Sequence, residues 1–153
     1  MSYLEFNEDI VSSLQHVGSN GISINTKENN VIEVIPEAKE LGFVGIPNKI
    51  NVEKIKDKIN KKLIPVISPL GLDNNNQAYN INGDNAAGAI AKSLKSRRLL
   101  LMTNVEGVLD KKKKLIHEIS SSKIIDMIKD GTITCLLYTS DAADERSSVD
   151  LGG

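Results

Sequence analysis

Four consecutive stretches decide how this chain folds. They are Leu63-Ile64-Pro65-Val66-Ile67, the polar stretch Asp73-Asn74-Asn75-Asn76-Gln77, the run from Asp84 through Ala86, Ala87, Ala89, Ile90, Ala91 and Leu94, and Leu99-Leu100-Leu101-Met102. The first and last are short apolar runs of the buried-strand kind. Pro65 lacks a ladder donor, which argues against a central place for its strand. The run between them is rich in alanine, the best helix former, and its small side chains allow close packing on a sheet. Asp84 can serve as its N-cap. A strand, a helix and a strand in succession form a parallel unit, so the expected fold class is α/β with a mostly parallel sheet.

Upstream, Asn7 can cap a helix whose apolar stripe is Ile10, Val11, Leu14 and Val17, with Gly18 as its stop. Gly21 to Ile24 and Val31 to Ile35 read as strands flanking a polar turn, Asn25 to Asn30. Leu41-Gly42-Phe43-Val44-Gly45 is a short apolar run between glycines. Asn51 can cap a helix carrying Val52, Ile55 and Ile59. Downstream, Lys111 to Lys114 reads as a solvated turn. Ser120 or Ser121 can cap a last helix through Ile124, Ile125 and Ile128, with Gly131 just past its end.

Composition removes several classes of function. The 153 residues carry nineteen basic and twenty acidic side chains, a net charge of -1, which argues against nucleic-acid or anionic-membrane binding driven by bulk charge. One cysteine, Cys135, excludes an internal disulfide framework and a cysteine zinc cluster. No apolar run reaches membrane-spanning length, and Met1-Ser2-Tyr3-Leu4-Glu5 has neither the basic nor the apolar part of a signal peptide. A cytoplasmic protein without a membrane or nucleic-acid partner is expected.

The composition also breaks along the chain. Residues 1–134 hold sixteen lysines, fifteen asparagines and nineteen isoleucines; residues 135–153 hold none of the three. The segment from Cys135 resembles an in-frame translation of a sequencing-library adaptor rather than a protein module. The expected division is therefore 1–134, the central part of one domain, and 135–153, a non-native tail.

Parallel sheets place ligands at the carboxyl ends of strands, beside helix N-termini. Two such places carry suitable chemistry. In Tyr79-Asn80-Ile81-Asn82-Gly83-Asp84, the amides of Asn80 and Asn82 both donate and accept, which suits a ligand with amide and carboxylate groups. Asp84 can position basic groups or a metal there. The plainer reading makes Asp84 an N-cap and the asparagines turn residues, and local physics favours it. In Thr103-Asn104-Val105-Glu106-Gly107-Val108-Leu109-Asp110, a glycine turn after a strand lets backbone approach a nucleotide; the plainer reading is an ordinary βα loop. There is no GxGxxG and no Walker lysine motif. His16 and His117 stand alone, without a second ligand at metal-binding spacing.

Taken together, Ile64–Leu72, Tyr79–Ala91 and Leu99–Asp110 closely resemble the acetylglutamate kinases, a branch of the amino acid kinase family. Lys114-Leu115-Ile116 and Asp130-Gly131-Thr132-Ile133 continue the likeness in order, and it spans residues 7 to 134. The resemblance implies a three-layer αβα sandwich, here incomplete. It implies ATP-dependent phosphorylation of the side-chain carboxylate of N-acetyl-L-glutamate, a step of arginine biosynthesis, with Mg2+ accompanying the nucleotide. It places Asn80 on the acetylglutamate with Asn82 beside it, and Asp84 as the organiser of two catalytic lysines. It lines the nucleotide site with Asn104, Val105, Glu106, Gly107, Val108 and Leu109. It implies a homo-oligomer for the full-length family.

This chain departs from the pattern in several places. The family's first catalytic lysine, its Gly-Gly loop and its substrate arginine would precede Asn7, and the second lysine would follow Ile133. The resemblance therefore implies an inactive fragment. Asn104 stands for the usual Asp, Gly83 for the commoner Ala, and Asn25-Thr26-Lys27-Glu28 for Ser-Gly-Lys-Asp. A kinase for a related acylated or carrier-linked aminoadipate or glutamate stays open, as does a non-catalytic nucleotide- or arginine-binding module. A truncated sheet exposes strand edges and apolar faces, so poor solubility is expected.

Overall fold

The computed structural model describes residues 3–24, 26–38, 41–102, 107–108, 110, 112, 114–130 and 149–150. The chain falls into two compact units, Met1–Leu94 and Lys95–Gly153. The α/β class expected of the sequence holds: helices alternate with strands, in parallel and mixed sheets.

In the first unit, α1 (Tyr3–His16) leads into β1 (Gly21–Ile24), the short α2 (Thr26–Asn29) and β2 (Ile32–Pro36). Next come β3 (Gly45–Ile50), α3 (Val52–Asn60), β4 (Ile64–Ile67), β5 (Leu70–Leu72), β6 (Ala78–Asn80) and α4 (Gly83–Leu94). The β1 and β4 strands pair in parallel, in register from Gly21 with Ile64 to Ile24 with Ile67. A second sheet runs β3-β2-β5-β6, with β2 antiparallel to β3, parallel to β5, and β5 antiparallel to β6.

Helix ends follow local chemistry. After His16 the chain turns through Gly18 at φ +80, with Gly18 N donating to Gln15 O and Ser19 N to Leu14 O. These two bonds close a Schellman stop, which needs a left-handed residue and so suits glycine. Asn51 caps α3 as its sequence suggests, accepting from Lys54 N. Ser120, rather than Ser121, caps α5 (Ser121–Lys129). Gly131 lies outside the described residues.

The core of the first unit gathers Ile24, Val31, Ile32, Val34, Ile55, Ile81 and Ala86, with Ile67, Tyr79 and Ile90 against it. Two glycines permit the close approach of strands. A Cβ on Gly71 would stand 2.7 Å from Ile32 O and against Val34, and one on Gly45 would stand 2.9 Å from Tyr79 Cβ. Either methyl would force its neighbours to shift, so glycine at these places lets β5 and β3 lie as close to β2 as they do.

Several expectations need correction. Asn7 does not cap α1; the helix starts at Tyr3, and Asn7 is buried within it. Its amide finds longer-range partners in and beside β4, which a local capping rule does not see. Of the helix's apolar stripe, Val17 is 73% exposed. The polar stretch from Asn25 to Asn30 contains one helical turn, α2. The β4 strand forms where expected but is only half buried, with Ile64 45% exposed; it has a ladder partner on one side, in keeping with Pro65. Strands β3, β5 and β6 carry no clear signal in the sequence, because each is short or lacks alternation.

The second unit holds β7 (Glu118–Ile119), α5 and β8 (Val149–Asp150), with β7 and β8 antiparallel. The β8 strand falls within the segment set apart by composition. Leu99–Met102, expected as a buried strand, forms none: Leu100 is 73% and Met102 99% exposed. An apolar run becomes a strand only where a neighbouring strand supplies hydrogen-bond partners, and none does so here among the described residues.

Candidate active site

The first candidate segment lies where β6 ends and α4 begins. Asn80 closes β6. Its backbone N–H donates to Phe43 O at 2.8 Å, and the residue bridges Val44 in parallel. The neighbouring β5–β6 turn is shaped by Asp73, whose Oδ1 accepts from Asn75 N at 2.8 Å and Gln77 N at 2.9 Å. Tyr79 packs its ring on Phe43, centroids 5.9 Å apart and tilted by 57°. Burial first, then the charge and hydrogen bonding of Asp73, push the Tyr79 phenol above its ordinary range.

Asn82, not Asp84, caps α4. Its Oδ1 accepts from Asp84 N at 3.0 Å and Asn85 N at 3.1 Å. The cap must precede the first helical residue, and α4 opens at Gly83, which leaves Asp84 inside the first turn. There its carboxylate is exposed and favourably placed by the helix dipole. Asn80 and Asn82 are exposed as well, so the two expected substrate residues and the expected organiser are all open to solvent along one short segment. With its oxygen engaged by the helix, Asn82 has Nδ2 as the end it can offer to a carboxylate or acyl oxygen.

Gly83 is open: a Cβ there would meet nothing within 4 Å. The departure from alanine at this position therefore alters no packing.

In the second candidate segment, Asn104, Val105, Glu106 and Leu109 lie outside the described residues. Gly107 has φ +134, a conformation that calls for glycine; a Cβ on it would meet only the movable end of Leu115, Cδ1 at 2.9 Å. Val108 O accepts from Ile116 N at 2.8 Å. Asp110 Oδ1 gathers Lys112 N at 2.7 Å and Lys114 N at 2.9 Å, which shapes the lysine-rich turn. Lys112 and Lys114 are exposed as expected of a solvated turn; Lys111 and Lys113 lie outside the described residues. His16 and His117 are exposed.

Two further features bear on ligands. Among the described residues no three His, Cys, Asp or Glu side chains converge. A cavity of about 380 Å³ opens between β1 and α3, lined by Ser23, Val31, Glu53, Lys54, Asp57 and their neighbours, and none of the expected site residues lines it. No described helix is long and apolar enough to cross a membrane.

The β6 strand thus runs into a capped helix with two exposed amides and one exposed carboxylate at the junction. The sequence model of the amino acid kinase family matches residues 2–149, and the chain belongs to that family. Among curated proteins it is 49% identical to the acetylglutamate kinase of Pelagibacter ubique over 131 residues, 86% of this chain and 46% of that protein. It is 42% identical to that of Roseobacter denitrificans over 127 residues, 83% of this chain and 44% of that protein. The chain thus spans about half the length of the curated relatives it matches.

Among solved structures, smu.665 from Streptococcus mutans superposes with a TM-score of 0.76 at 27% identity, covering 85% of this chain and 53% of that one. N-acetylglutamate synthase from Neisseria gonorrhoeae, solved with coenzyme A and L-arginine, superposes at 0.62 with 17% identity, covering 72% of this chain and 26% of that one. The second likeness is one of fold.

Proposed function

We propose that residues 1–134 are the middle of an acetylglutamate kinase acting in arginine biosynthesis. The observation that carries this reading is the 49% identity to the Pelagibacter ubique acetylglutamate kinase over 86% of the chain. In the proposed reaction a side-chain carboxylate oxygen of N-acetyl-L-glutamate attacks the γ-phosphorus of ATP. The bond from that phosphorus to the β,γ-bridging oxygen breaks, and ADP leaves, giving an acyl phosphate. In phosphoryl transfer the protein mainly positions groups and stabilises charge.

Asn80 and the Nδ2 end of Asn82 are the proposed holds on acetylglutamate. Asp84 holds the ammonium groups of two lysines supplied by other parts of the longer protein. The stretch from Asn104 to Leu109 lines the nucleotide, whose phosphates would carry Mg2+ and have their charge offset by it. The exposure of Asn80, Asn82 and Asp84 on one short segment supports these roles.

The test is to express the complete gene that carries this segment and follow ATP-dependent acyl phosphate formation. N-acetylglutamate should be turned over and carrier-linked aminoadipate should not; the reverse preference would overturn the substrate assignment. The 153-residue chain alone should show no turnover, and measurable turnover by it would contradict the missing-lysine argument. Residues 135–153 are proposed to be foreign to the enzyme. A source locus that encodes Cys135 to Gly153 in continuous frame would contradict that.

A further inference from the structure

The buried polar side chains among the described residues are Asn7, Thr26 and Ser68, exposed by 3%, 4% and 5%. A polar group removed from water is costly unless bonded, and these bonds converge on one corner of the chain. Asn7 Nδ2 donates to Val66 O and to Ser68 Oγ, both at 3.0 Å. Thr26 Oγ1 donates to Leu70 O at 3.1 Å. Leu70 N donates to Ser68 O at 2.8 Å, and Ile81 N to Pro69 O at 2.9 Å. The corner between β4 and β5 is thus held by α1, by α2 and by the link from β6 to α4.

Leu70 stands directly opposite Asn80 in the β5–β6 ladder. These strands have three residues each, too few to hold one geometry by pairing alone. Among the described residues Asn7 Oδ1 is buried without a donor. The Nδ2 end of the same amide ties α1 to Val66 O and Ser68 Oγ and so fixes where the corner lies.

We infer that Asn7, Ser68 and Thr26 form a positioning cluster that holds the β4–β5 corner and, through Leu70, the strand that presents Asn80. They tune binding of the acylated amino acid and leave the nucleotide untouched. The inference rests on the proposed contact between Asn80 and that substrate. None of the three touches substrate; they act through the corner, as positioning residues.

Two measurements test it. In the 153-residue chain, Thr26→Val and Ser68→Ala should speed amide hydrogen exchange at Ile81, whose N–H donates to Pro69 O in the corner, by roughly 2- to 10-fold, the worth of one net hydrogen bond, with α4 amides unchanged. In the complete enzyme, the same variants and Asn7→Ala should raise the KM for N-acetylglutamate by a similar or larger factor. The KM for ATP should not move, and kcat should stay within about twofold of the parent value. Unchanged exchange at Ile81 in both variants overturns the inference. So does a fall in kcat with both KM values unchanged, the mark of a merely structural role. If the parent enzyme turns over no N-acetylglutamate, the substrate reading fails instead, and the exchange measurement still decides whether the cluster orders the corner. Thr26→Val is nearly isosteric and keeps the test available should Asn7→Ala fail to fold.

Discussion

Leu63–Ile67 and Leu99–Met102 are both short apolar runs, and they end differently. The first supplies β4, where Ile67 faces Ile24 across a parallel ladder beside the core. The second forms no strand, and Met102 is 99% exposed. Apolar composition supplies the tendency to be buried, whereas a strand needs another strand to take up its N–H and C=O groups. The first run has both the β-branched residues and the partner strand; the second, Leu and Met alone, has neither among the described residues.

Substitutions can break or sharpen this contrast. The largest effect should come from Ile24→Ala. Ile24 is 2% exposed opposite Ile67, so its truncation should lower the unfolding free energy by about 2–5 kcal/mol, read from the urea midpoint. Met102→Ala, in the exposed run, should change it by less than about 0.5 kcal/mol. Similar values for the two would erase the distinction.

Gly71→Ala comes next. The added methyl must displace Ile32 O or Val34, which should cost roughly 1–3 kcal/mol and weaken the join of β2 to β5. A neutral result would mean that the strands can part without penalty.

A smaller contrast lies within the candidate site. Asn82→Ala removes the α4 cap and should cost about 1 kcal/mol in thermal or urea unfolding. Asp84→Ala should leave stability within about 0.5 kcal/mol, since Asp84 is exposed and caps nothing. In the complete enzyme the order should invert, with Asp84→Ala lowering kcat more than Asn82→Ala does. An equal loss of kcat would count against Asp84 as the organiser.

The smallest effect concerns Asp57 on α3, which meets Lys61 at 3.0 Å and Lys58 at 3.4 Å. The hydrogen bond from Lys61 leads the causes that hold its carboxyl below the ordinary range. A carboxylate with a depressed folded pKa adds stability above its unfolded pKa and loses it as pH falls through the folded value. The pair is exposed, so its contribution should be slight and fade with salt. Comparing Asp57→Asn with the parent chain between pH 5 and pH 2, at low and high salt, checks this.

Much of the site is legible along the chain. Asn80, Asn82 and Asp84 stand out as polar residues between a strand-like run and an alanine-rich helix. Which of them caps is not legible there, because Asn and Asp are near-equal caps and only the helix start at Gly83 separates them. The Asn7 cluster is hidden for a related reason. An asparagine ahead of an apolar stripe looks like a cap, and nothing near it in sequence reveals Val66 and Ser68 as partners. The one signal is an amide four residues into a run that continues as helix on both sides.

Taken by itself, the sequence determined the α/β class, the family, and the helices α3, α4 and α5. Periodicity, alanine content and flanking residues act within a few positions of one another, so they are visible along the chain. Only the tertiary structure decided which apolar run became a strand, which polar side chain was buried, and which glycines were required. Those outcomes depend on residues far apart in sequence: Ile24 beside Ile67, Asn7 beside Ser68, and Gly71 against Val34.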